Sequence, residues 1–75
     1  MNRIDKLKEM LTHFVKEGTS ETSLKVPNRV ICGFKLDNVA IVIQDLLCDK
    51  YHKNLRFVDY VEDGDGYIFN FKEAT

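Results

Sequence analysis

Seventy-five residues, 44% of them hydrophobic and 31% charged, with one proline, four glycines and two cysteines, predict one domain, because a chain this short buries only about 60–65% of the surface its unfolded form exposes. That composition excludes a disordered tail, a repeat array and a disulfide-stapled scaffold. A net charge of −1 gives no overall attraction to nucleic acid or an anionic membrane, although residues 1–36 carry seven Lys or Arg against four acids, a net +3, and residues 37–75 carry four against eight, a net −4.

Met1 opens into a charged pattern and no apolar signal segment follows it, while the longest apolar run, Val39 to Ile43, is far short of the roughly 20 residues a bilayer span needs. The expectation is a cytoplasmic chain with reduced thiols and no membrane partner. Asn2 can cap a helix, Asp5 completes a capping-box-like pair, and Ile4, Leu7, Leu11 and Phe14 fall on one stripe, so the spacing predicts a helix over 3–17. Met10 and Val15 widen the stripe, the charged residues lie opposite, and Gly18 supplies a left-handed stop. The stripe is also two turns of a heptad seam, too short for a coiled coil. Exposure of Met10 and Val15 would make helix 3–17 a homodimer surface.

The hydroxyl-rich connector 19–23 leads to Leu24-Lys25-Val26, and Pro27-Asn28 favours a turn. Beyond it Val30, Cys32, Phe34 and Leu36 alternate with Ile31, Gly33 and Lys35, which predicts a strand over 29–36, alone or paired in a short hairpin across the proline. The run Val39 to Ile43 has strand propensity, and Asp37-Asn38 could turn a hairpin. The longer pattern favours a helix: Asp37 as N-cap, Leu36 and Ile41 as a hydrophobic staple, Val39, Val42, Ile43, Leu46 and Leu47 at helical spacing, and Asn54 as the stop.

Residues 55–61 and 67–72 bracket an acidic, glycine-rich stretch and predict an antiparallel hairpin. Its loop is Asp63-Gly64, Gly64-Asp65 or all four residues Asp63 to Gly66. Each choice places Val58, Tyr60, Tyr67, Phe69 and Phe71 on one face and Phe57, Asp59, Val61, Ile68 and Asn70 on the other. The sum is an α+β fold with both helices on one face of a small sheet, mixed if the strand over 29–36 crosses over to the hairpin.

The acidic stretch is not a calcium loop. With Gly66 as the sixth position of an EF-hand, Asp63 and Asp65 stand third and fifth, but Val61 stands first and Lys72 twelfth, a missing ligand and a repelling charge. Cys48 and His52 have a zinc-like spacing that Cys32 and His13 could complete, yet no paired Cys-x-x-Cys is present, and Cys32 in its apolar alternation reads as core. No phosphate loop, nucleophile elbow or HExxH appears, so neither a cofactor nor an enzyme is implied. Helix, strand, helix and hairpin in that order resemble a winged-helix domain with Asp63 to Gly66 as the wing tip. That resemblance implies nucleic-acid binding, for which Lys6, Lys8 and Lys16 of the first helix are the candidate contacts. The chemistry opposes it, since the second helix opens Val-Ala-Ile-Val-Ile where base-reading polar groups are needed and the wing is acidic. The favoured expectation is a small non-catalytic protein-binding module, an adaptor, inhibitor or regulator, meeting a basic partner through Asp59, Glu62, Asp63 and Asp65 or through an exposed Tyr51.

Overall fold

The computed structural model describes residues 2–18 and 20–74. Helix α1 (Arg3–Glu17) leads through strand β1 (Ser23–Pro27) to a single-turn helix α2 (Asn28–Ile31), then helix α3 (Leu36–Tyr51), then strands β2 (Leu55–Asp63) and β3 (Gly66–Glu73). The sheet is antiparallel throughout, in the order β1-β3-β2, so the fold is α+β with no mixed crossover. Every element contributes to one core, which gathers Leu7, Leu11 and Val15 of α1, Leu24 and Val26 of β1, Val39, Ile43 and Leu47 of α3, and Phe69 and Phe71 of β3. The Thr19 end of the connector 19–23 lies outside the described residues, and Ser23 already belongs to β1.

Helix α1 begins as the sequence predicts, with Asn2 Oδ1 accepting from the Asp5 amide at 2.9 Å. Two details differ. Ile4, placed on the core stripe, is 48% exposed, whereas Val15 is buried and Met10 half-buried, so the condition that made α1 a dimer surface is not met. Gly18 ends the helix in an extended conformation (φ −67°, ψ 146°), not a left-handed one. Its carbonyl and that of Val15 accept from Lys50 Nζ at 2.7 Å each, and that of Lys16 at 3.3 Å. An ammonium from α3 therefore meets carbonyls at the C-terminal end of α1, where the helix dipole favours a cation.

The expected strand over 29–36 is absent, and so is the hairpin across Pro27-Asn28. Val30 and Ile31 are both buried, and neighbours in a strand point to opposite faces. Pro27 closes β1, where its missing N–H costs no ladder bond at a sheet edge. The Cys32 amide then bonds to the Asn28 carbonyl at 2.9 Å, making the helical turn of α2. Gly33 at φ 89° bends the chain into α3. Arg3 fastens this bend to α1, donating to the Gly33 carbonyl at 2.9 Å with its guanidinium 5.0 Å from the centre of the Phe34 ring.

The ambiguous run Val39 to Ile43 is helical, and α3 starts two residues earlier than expected. Lys35, not Asp37, is its N-cap and makes no side-chain cap bond; Asp37 lies in the first turn, where its charge suits the dipole. Ile41 is 55% exposed and staples nothing. The helix stops at Tyr51 with His52 left-handed (φ 55°, ψ 42°), short of Asn54. The single turn of α2 stands between β1 and α3, in place of the expected strand.

Candidate functional site

Strand β2 lies at one edge of the sheet, and its two halves are held differently. In the lower half the outward backbone is covered by α3. The Leu55 amide donates to Cys48 Sγ at 3.3 Å, the Cys48 thiol donates to the Leu55 carbonyl at 3.4 Å, and the Phe57 amide donates to Gln44 Oε1 at 2.8 Å. Gln44 and Cys48 stand four apart, hence on one helical face, and together they seal an edge that would otherwise be open.

A bulge then intervenes. Phe57 pairs with Phe71, but the next residue to pair is Asp59, opposite Asn70, so Val58 is the extra residue. It corrects the predicted faces. Phe57 joins Tyr60, Tyr67, Phe69 and Phe71 on the side toward the helices, with its ring 5.9 Å from that of Phe71 and 6.3 Å from that of Tyr60. Val58 leaves that face and is 50% exposed.

Above the bulge no α3 side chain follows. The loop is Gly64-Asp65, with φ 59° at Gly64 and no positive φ at Asp65, the pattern of a type II′ turn. A two-residue loop makes Asp63 and Gly66 a hydrogen-bonded pair, and alternation then points the backbone groups of Tyr60 and Glu62 away from β3. The opposite side of β3 fits this phase, because the Phe71 amide faces β1 and donates to the Thr22 carbonyl at 2.8 Å. Among the described residues nothing hydrogen-bonds to the outward groups of Tyr60 and Glu62. Beside them Tyr60 is 42% and Val61 53% exposed.

The sequence-predicted acids do not form one cluster. Asp59 and Asp63 lie on the sheet face away from the helices, where Asp59 accepts from Asn70 Nδ2 at 2.8 Å and Lys25 approaches Asp63 at 3.4 Å and Asp65 at 3.8 Å. Glu62 pairs opposite Tyr67, hence on the helix side, and has no ion pair among the described residues. Tyr51, expected to be exposed, is half-buried against the core with Lys50 Nζ 5.1 Å from its ring centre. Lys6 and Lys8 are exposed but point about 160° apart around α1 at 3.6 residues per turn, and Lys16 stands about 80° from each.

Cys32 is exposed, not core, and lines an open cavity of about 270 Å³ with Arg3, Lys6, Met10 and Phe34. Cys48 is engaged by Leu55, and among the described residues no group of three His, Cys, Asp or Glu is arranged to hold a metal ion. No described helix is long and apolar enough to cross a membrane. Gln44 and Lys50 are organising residues that the sequence reading missed, and Cys48, read there for a zinc-like spacing with His52, clamps Leu55 instead; the four-residue spacing of Gln44 and Cys48 was the available signal. No protein-family model matches this chain, and no curated protein or solved structure matches it significantly, so the open upper half of β2 is characterised by its own residues alone.

Proposed function

We propose that the chain is a small non-catalytic protein-binding module whose contact surface is the upper half of the C-terminal hairpin. The observation that carries the reading is the run 58–62, in which exposed Val58, Tyr60 and Val61 sit beside Asp59 and Glu62 on an uncovered sheet edge. Scattered apolar exposure is ordinary on a protein surface, but three such residues within four positions, one of them a tyrosine, match the aromatic-and-aliphatic make-up of interface centres. The non-catalytic part of the reading is supported by Cys48, whose thiol exchanges hydrogen bonds with the Leu55 backbone and so is not presented to a substrate.

The test is recovery of partners by the wild-type chain and by a Glu62→Gln, Asp63→Asn, Asp65→Asn variant. Loss of a partner with the variant is expected, and equal recovery of every partner sinks the acidic-surface reading.

Nucleic-acid binding is the second reading, favoured by the element order and the α2–α3 pair. It requires α3 or the hairpin to approach phosphates. The exposed positions of α3 include Asp37, Asp45 and Asp49, and the hairpin adds four carboxylates. The α1 lysines diverge and make no single stripe. Flow-through from a DNA or RNA column at low salt is the expected result; salt-sensitive retention would reverse the preference.

A further inference from the structure

We infer that the outer edge of β2 above the bulge is a strand-addition site for an extended segment of a partner protein rich in lysine or arginine. The inference rests on the protein-binding reading above and specifies its mode and the chemistry of the partner.

Three observations meet at this edge. Its backbone is open, because the α3 clamp ends at Phe57 and the outward N–H and C=O groups of Tyr60 and Glu62 have no partner among the described residues. An extended chain laid alongside supplies those bonds, which is how strand addition gains affinity. The edge also lacks the protection given to the other side of the sheet. The outer strand β1 carries Lys25 and Pro27 at the positions whose backbone faces outward, and lysine and proline are two of the usual obstacles to pairing. Residues 58–62 contain neither.

The third observation is charge, and it selects the occupant. From Phe57 to Phe71 the chain has four carboxylates and no lysine or arginine. Lys25 reaches only the two acids at the tip, leaving Asp59 and Glu62 without an ion pair among the described residues. A second copy pairing antiparallel edge to edge about Val61 would oppose Asp59 to Asp63 twice and bring two further glutamates alongside, and like charges across a strand pair destabilise it. A strand with basic side chains on both faces meets Asp59 on one face of the sheet and Glu62 on the other. Apolar residues between its charges cover Val58, Tyr60 and Val61.

The experiment titrates the full chain with an octapeptide of two lysine–lysine–valine–valine repeats, which places lysines on both faces of a strand, or with its glutamate counterpart as control, and follows amide hydrogen exchange and amide correlation spectra. The lysine peptide is expected to slow exchange at Tyr60 and Glu62 by roughly tenfold or more, since these amides gain the new bonds, while the glutamate peptide has no effect. Two variants at one position separate charge from backbone. Glu62→Gln keeps the outward N–H and is expected to weaken the lysine peptide a few-fold in a salt-dependent way. Glu62→Pro removes an N–H that β3 does not use, and is expected to weaken it roughly tenfold or more. Should the proline variant melt early, the exchange pattern of the wild type decides alone.

Four results overturn the inference: no binding of the lysine peptide, binding without protection at Tyr60 and Glu62, equal binding of the glutamate peptide, or concentration-dependent protection without peptide, which makes a second copy the occupant. None of these touches the partner-recovery test, so a partner lost with the neutralised variant but kept by Glu62→Pro upholds the acidic surface and removes strand addition.

Discussion

Lys50 holds three carbonyls at the end of α1 from a position in α3. Charge-assisted bonds and a cation at a helix C-terminus both favour the folded state, so Lys50→Met is expected to lower stability by about 1–2 kcal/mol in urea denaturation. The glycines of the hairpin divide by what surrounds them. A Cβ on Gly66 would collide with the Val26 carbonyl and the Pro27 backbone, where β1 pairs with β3. Gly66→Ala is therefore expected to cost about 1–3 kcal/mol, read from the shift of the denaturation midpoint. Gly64 faces open space and needs only a residue that tolerates its φ of 59°. Gly64→Asn is expected to change stability by only a few tenths of a kcal/mol in the same assay, because asparagine adopts that conformation more readily than other side chains.

At the scale of the element, β2 depends on α3. Replacing Gln44 by leucine leaves the Phe57 amide without its acceptor, and about 1–2 kcal/mol of destabilisation is expected, together with faster exchange of that amide. Sequence reasoning reached α1, α3 and the hairpin because each rests on periodicity sustained over many residues. It failed over 29–36, where four alternating apolar residues imitate a strand. Pro27 two residues ahead of it and a positive-φ glycine within it break the segment into a helical turn and a bend, and tertiary packing buries Val30 beside Ile31. The Val58 bulge was illegible for a different reason. Nothing local marks it, and it follows from fitting β2 simultaneously to β3 and to two side chains of α3. The acidic residues of the candidate surface could be read from the sequence, but the open backbone beside them could not, because edge position is a property of strand order.

Across the whole molecule the charge asymmetry of the sequence is partly neutralised at defined points. Lys25 of the basic half reaches Asp63 and Asp65 of the acidic half. Lys53 in turn reaches back to Glu21 at 2.8 Å and lies 4.0 Å from Glu73. The hydrogen bond to Glu21, followed by the attraction of its charge, holds Lys53 protonated above its ordinary range. A lysine raised in the folded state contributes fully below its unfolded value and loses that contribution only as pH climbs through the raised one, so this link is intact at neutral pH and fails in strongly alkaline solution. The Lys50 clasp has a temporal consequence. A fifteen-residue helix is marginal alone in water, and the end of α1 is completed only when α3 arrives carrying its ammonium. Neither helix has reason to mature first; they should condense together in the rate-limiting step, and Lys50→Met should retard refolding more than it hastens unfolding.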